Sequence, residues 1–302
     1  MQIDPTIILK HLRGRFHRRA LGRLRAAVAE APLDPGRHTA LAAGLARAGR
    51  IHGAHATQRS SAFLRQADGE TPVEVRDHRV PFSELRCMDH NQFFRFQTLS
   101  NKVQELSGSE RLSILDVGGG DGQLAQFLPE TGYFLVEPSV NGISGEQLPF
   151  GEASFDYVLA CHVLEHIPAE HRCGFLDSLL KCARRGVVLL NPFFDERTSV
   201  DERLRLIIQV TNAEWAKEHL ECSLPELASI EQYAADRNLD IDCEPNGFLP
   251  LSAAMVFSNY FCSRLARTLD YRAINEYFNV KLSGLLNSAQ CPNAYLVTLK
   301  RR

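Results

Sequence analysis

The spacing of apolar residues divides the chain in two. From about 10 to 66 they recur at helical intervals, through Leu24, Ala27, Leu41, Ala42, Leu45 and Ala54, which predicts helices. Residues 68–84, with Gly69, Pro72 and Pro81, read as a linker, and HNQFFRFQTLSNKVQEL (90–106) as one further helix. From 112 the pattern changes to short apolar strands alternating with amphipathic helices: LSILDV (112–117), YFLV (133–136), a strand before Cys161, a helix over 170–183, then GVVLLN (186–191). That alternation predicts an α/β fold, a mostly parallel sheet wrapped by helices. Downstream lie EWAKEHLECSLPELASIEQYAADRN (214–238), LDIDCEP (239–245), an Asn246-Gly247 turn, helices over about 250–268 and 272–286, and a last strand, AYLVTLK (294–300).

The strand LSILDV runs straight into GGGDG (118–122), and a helix is expected to open with Gln123, Leu124, Phe127 and Leu128. Strand, glycine turn, helix lets backbone approach a ligand. A dinucleotide fold needs G-x-G-x-x-G, and after Gly118 and Gly120 the third glycine falls on Gln123. The spacing is instead Asp116-x-Gly118-x-Gly120-x-Gly122. Asp121 at the helix start opposes a pyrophosphate, whereas a ligand bearing an ammonium and a sulfonium tolerates acidic neighbours. Glu137 ends the next strand, about twenty residues beyond the glycines, placed to accept both hydroxyls of a ribose.

The Asp116–Gly122 pattern resembles motif I of class I S-adenosylmethionine-dependent methyltransferases. The stretch LPFGEASFDYVLACHVLEHIP (148–168) resembles the same superfamily from its adenine-pocket loop through strand four, in Leu148-Pro149-Phe150, Phe155-Asp156 and Val163-Leu164-Glu165-His166. The resemblance spans roughly 110–192. It implies a doubly wound Rossmann-like sheet of seven strands, closed by an antiparallel final pair. It implies S-adenosylmethionine as cofactor, held by Asp116, Gly118, Gly119, Gly120, Gly122, Glu137, Pro138, Gln147, Leu148, Cys161 and His162. One departure stands out: between Glu137 and Leu148 the segment PSVNGISGEQ is too short for the helix and third strand usual there. Ser144 replaces the acidic residue that reads adenine, leaving that role to Glu146, Gln147 or backbone.

His162, Glu165 and His166 lie at i, i+3 and i+4, so one helix face presents all three. A histidine there is a candidate general base, and His162 and His166 are the candidate catalytic residues. The trio also resembles the E-x-x-E-H metal set of some quinone and RNA 2′-O-methyltransferases, with His162 in place of the first glutamate. VLEH also occurs in metal-free members of the superfamily, so no metal is assigned. Asn191-Pro192-Phe193-Phe194 is similar to the N-P-P-F motif of amino-group methyltransferases, but follows strand five rather than strand four and reads as a strand end lining the pocket. EHLECSLP (218–225) loosely resembles methyltransferases of bacterial surface-glycan gene sets.

A net charge of -2 excludes a polyanion binder by bulk charge, so nucleic acid is not an expected partner. No apolar run reaches the roughly 18 residues of a membrane span, and none near the N-terminus forms a signal peptide; a cytoplasmic protein is expected. None of the eight cysteines sits at C-x-x-C spacing, which argues against a zinc ribbon. Lys10, Arg13, Arg15, Arg18, Arg19, Arg23 and Arg25 make the first helix basic, with a solvated face the plain reading. Ala20 and Ala54 stand 34 residues apart, a period similar to that of a tetratricopeptide repeat. One and a half such repeats cannot close a core, so these helices must pack on the catalytic domain or on a partner protein; an alanine-rich hairpin without repeat ancestry is the alternative. The resulting division is a helical segment 1–67, a linker 68–88 and a methyltransferase domain 89–302 with a helical insertion at about 248–290. The expected reaction is O-methylation of a small molecule or glycan. The alternatives are methylation of a quinone-like lipid, or a non-catalytic partner-binding protein that retains the cofactor fold.

Overall fold

The computed structural model describes residues 5–71, 75–194, 200–282 and 289–302. The fold class is α/β, with six strands among the described residues. Two compact units divide the chain, Met1–Arg79 with Arg111–Phe150, and Val80–Glu110 with Gly151–Arg302.

The first unit holds α1 (Pro5–Glu30), α2 (Pro35–Arg47), α3 (Ile51–Ala67), β1 (Ser113–Val117) and β2 (Gly132–Val136). Asp34 caps α2, accepting from the Gly36 and Arg37 amides at 2.8 and 3.1 Å, with Pro35 in the first turn. The strands β1 and β2 run parallel, in register from Ser113 opposite Gly132 to Val117 opposite Val136. Where a crossover helix is expected, Gln123–Gln126 forms a single 3-10 turn. Pro129 explains this, because it bars its predecessor Leu128 from helical backbone only two residues after Gln126.

The N-terminal segment supplies what the crossover lacks. IHGAHATQRSSAFLRQA reads as half polar, yet His55, Thr57, Arg59, Ser60 and Ser61 of α3 are buried. Arg59 donates to the Ala125 carbonyl at 2.5 Å and the Thr131 carbonyl at 2.7 Å, and lies over the Tyr133 ring. No strand forms between Val136 and Phe155 among the described residues, in keeping with the short PSVNGISGEQ segment, and six of the family's seven strands remain. The outer edge of β2 is satisfied by side chains instead. Leu135 N–H donates to Ser60 Oγ at 3.0 Å, and Leu135 C=O accepts from Asn141 Nδ2 at 2.5 Å.

The second unit holds α4 (Phe82–Leu85), α5 (His90–Ser107), β3 (Phe155–Cys161), α6 (Arg172–Cys182), β4 (Ala183–Asn191) and α7 (Val200–Thr211). It continues with α8 (Glu214–Cys222), α9 (Leu227–Asp236), β5 (Leu239–Asn246), α10 (Leu249–Arg264), α11 (Thr268–Lys281) and β6 (Ala294–Arg301). Its strands lie in the order β3-β4-β6-β5. The β3–β4 pair is parallel, while β4–β6 and β5–β6 are antiparallel. The stretch 214–238 forms two helices, α8 and α9, parted where Ser223 takes a φ of 58° and Pro225 follows. Between β5 and β6, α10 and α11 meet α5 through a buried polar cluster in which Asn275 accepts from His90 N–H and Asn259 donates to Asp89. The side chains of Lys10, Arg13 and Arg15, Pro72, and the end of the helix expected over 272–286 lie outside the described residues. No helix among them is long and apolar enough to cross a membrane.

Candidate active site

Within the first unit, β1 carries Asp116 into the core and then turns through Gly118, Gly120 and Gly122, all with left-handed φ of 73°, 53° and 75°. Two positions in the turn have no room for a side chain. A Cβ on Gly119 would stand 2.3 Å from Asp116 Oδ2, and one on Gly122 2.6 Å from the Ala56 Cβ on α3. At Gly120, by contrast, no atom lies within 4 Å of that position, so the turn is open there to a ligand. Glu137 ends β2 half-buried, accepting from Gly120 N–H at 3.1 Å and Ser139 N–H at 2.9 Å. Asp116 accepts from the Tyr133 hydroxyl at 2.5 Å. Burial pushes the Asp116 carboxyl up to about 7, against the pull of the Tyr133 hydrogen bond and with a further push from Glu137. Exposed Asp121 pairs with Arg50 of the α2–α3 turn at 2.6 Å, and Arg50 also donates to the Ser139 carbonyl at 3.0 Å. Pro138 and Gln147 are exposed in this unit and Leu148 is half-buried. A glycine turn open at Gly120 with the Glu137 carboxylate beside it fits a ligand with a ribose diol, and the residues present fit S-adenosylmethionine.

In the second unit, β3 ends at half-buried Cys161 and the chain reverses at His162, a non-glycine residue with φ 56°. Backbone of this kind in such a residue is strained and held by its surroundings. Here His162 N–H donates to the Leu190 carbonyl at 2.8 Å. His162 Nδ1 lies 2.8 Å from Glu165 Oε1, and its buried Nε2 has no hydrogen-bond partner among the described residues. Glu165 is 0% exposed and accepts from Asn191 Nδ2 at the end of β4 through Oε2. The expected helix face at 162–166 is a three-residue 3-10 turn, Leu164–His166, which still brings His162 to Glu165. It stops there because Pro168 bars helix at the residue before it. His166 points instead to Glu218 of α8, its Nδ1 2.8 Å from Oε2.

Burial pushes His162 below its ordinary value, assisted by Arg95 and opposed by Glu165. Burial alone would raise Glu165, but contact with His162 and its hydrogen bond outweigh this and keep the carboxylate ionised. An imidazole with an ionised carboxylate 2.8 Å from Nδ1 can keep its lone pair on Nε2, the arrangement that a general base and its orienting group require. Asn191 turns out to orient Glu165, while Phe193 is buried against Tyr295 and Phe194 is exposed. Sequence reading passed over His219, whose Nε2 is 3.8 Å from Glu165 Oε1 and which burial holds at about 4. It also passed over Arg50 and Ser60. The adjacent pair Glu218-His219 is a usable signal for the first; Arg50 lies in the α2–α3 turn and Ser60 in α3, neither within a motif.

A family model described as a methyltransferase domain matches residues 88–244. The chain is similar to an uncharacterized methyltransferase of Mycobacterium sp. (strain KMS), 33% identical over 30% of this chain and 45% of the relative. A second, from Mycolicibacterium gilvum (strain PYR-GCK), is 30% identical over 29% and 44%. The match thus spans about 45% of the length of these relatives. Among solved structures, the YcgJ protein from Bacillus subtilis aligns with a TM-score of 0.41 and 14% identity, over 67% of this chain and 98% of that one. A putative methyltransferase from an antibiotic biosynthesis pathway of Anabaena variabilis ATCC 29413 aligns at 0.43 and 15%, over 72% and 99%.

Proposed function

The chain belongs to the methyltransferase-domain family, whose cofactor is S-adenosylmethionine, and from that premise we propose that it methylates a hydroxyl of a small molecule or glycan, with His162 as the base. When bound, the cofactor supplies an activated methyl group on a sulfonium. Asp116, the open turn at Gly120 and Glu137 hold it, Glu137 through the ribose hydroxyls. We add Gly118, Gly119 and Gly122 as the frame of the turn, and Pro138, Gln147 and Leu148 as its further lining. The base takes the acceptor's proton at His162 Nε2, while Glu165 keeps Nδ1 protonated and the ring in place.

The observation that carries this reading is the buried His162–Glu165 pair, with Nδ1 held at 2.8 Å and Nε2 unpartnered. We assign the proton to His162 rather than His166 because Glu218 engages His166 at 2.8 Å. Formation of demethylated cofactor against a panel of hydroxyl acceptors tests the proposal. His162→Ala should lower kcat by about 10²–10⁴-fold and leave cofactor affinity unchanged. A wild-type kcat in that variant, with a defined acceptor, would sink it.

A further inference from the structure

Glu165 is a buried carboxylate whose ion-pair partners among the described residues are imidazoles: His162 Nδ1 at 2.8 Å and His219 Nε2 at 3.8 Å. An ionised group out of water needs a compensating cation; Arg172 acts on Glu165 without forming an ion pair with it, and neutral imidazoles supply no charge. What they do supply is nitrogen lone pairs. One donor atom from each of Glu165, His166 and His219 lies within 4.8 Å of the other two. The two histidine rings stand 4.8 Å apart, centroid to centroid. The pairing that creates this cluster joins a turn after β3 to the middle of α8, more than fifty residues downstream, so no local motif contains it.

We propose that Glu165, His166 and His219 bind a divalent transition-metal ion of the zinc class. Two imidazoles and one carboxylate are the donor set of open zinc sites, with a fourth position left for water or another oxygen ligand. The surrounding groups suit such a site. Asn191 holds the second Glu165 oxygen, and Glu218 holds His166 Nδ1 at 2.8 Å, which fixes the tautomer that carries its lone pair on Nε2. His166 is 32% exposed at its side chain and gives an ion a way in. This reading does not depend on His162 acting as a base, and it concerns binding rather than turnover.

The protein carries its own reporter. Trp215 is its single tryptophan, and the ring lies 5.3 Å from that of His219. The full chain, stripped with a chelator, is titrated with Co²⁺ while Trp215 fluorescence and the visible absorption of the metal are followed. The expected result is saturable one-to-one quenching with a dissociation constant of about 1 µM or tighter, reversed by Zn²⁺. His219→Ala and His166→Gln should each weaken binding by about 100-fold or more, and Glu218→Ala by about 10-fold. His166→Gln, at a partly exposed position, carries the test if His219→Ala does not fold. Absence of saturable quenching overturns the proposal. So does quenching that survives His166→Gln, or that disappears in Cys222→Ser, which would place the ion on the neighbouring thiol.

Discussion

The hydroxyl of Tyr133 on β2 stands 2.5 Å from Asp116 Oδ2 on β1, both side chains fully buried beneath the glycine turn. Because burial raises the Asp116 carboxyl from 3.8 to about 7, the folded chain keeps a proton that the unfolded chain has already released across that interval. Stability contributed by this group is therefore greatest below pH 3.8, falls as pH rises toward about 7, and is flat above. Asp116→Asn removes the titration. Its stability relative to the parent should improve between about pH 4 and pH 7, as read from urea unfolding at a series of pH values. Tyr133→Phe, which leaves a buried oxygen without its donor, should cost about 1–3 kcal/mol.

In the proposed cofactor site Glu137 accepts hydrogen bonds from the ribose hydroxyls. Glu137→Ala should weaken S-adenosylmethionine binding by about 1–3 kcal/mol, since a ribose diol loses a charged acceptor. Calorimetry with S-adenosylmethionine, its demethylated product and NAD decides the matter: binding of NAD alone contradicts the assignment.

Gly122 has two reasons to be glycine, a φ of 75° and an Ala56 Cβ only 2.6 Å from where its own would stand. Gly122→Ala should destabilise the protein by about 1–3 kcal/mol. Combining it with Ala56→Gly should recover the steric part, less about 1 kcal/mol for a glycine within α3. Thermal melts of the two single variants and the double variant measure the coupling, and strict additivity would refute the contact.

The α3 helix is held to β2 mainly by what is buried. The Arg50–Asp121 pair joins a half-buried arginine to an exposed carboxylate and is worth about 0–1 kcal/mol. Ser60 accepts from Leu135 N–H inside the core, so Ser60→Ala should cost more, about 1–3 kcal/mol. Denaturant unfolding of Arg50→Ala beside Ser60→Ala tests that ordering.

The parts of the fold that show in the sequence are those written locally. The glycine spacing places Asp116, the turn and Glu137 together, and VLEH places His162 against Glu165 even though the backbone there is a 3-10 turn. The antiparallel final pair also forms as the family resemblance implies. The missing crossover helix was legible too, in Pro129, but the apolar spacing of Leu124, Phe127 and Leu128 masks it. What does not show is long-range polar pairing. Arg59 and Ser60 look solvent-facing because their partners are backbone groups of residues 125–135, which carry no sequence signature. His219 shows only as half of the adjacent pair Glu218-His219, since its partner Glu165 belongs to another element.

Side-chain satisfaction of the β2 edge has a consequence for how the molecule is made. Ser60 leaves the ribosome long before Leu135, and residues 80–110, which belong to the other unit, emerge in between. During synthesis α3 must wait, its buried polar groups hydrated, until its strand appears. A fragment begun at residue 88, where the family match starts, would have the strand but never the helix. Its bare Leu135 N–H would then be available to another chain, as an open template for edge-to-edge pairing. Light scattering of such a fragment should therefore show self-association that the full chain does not.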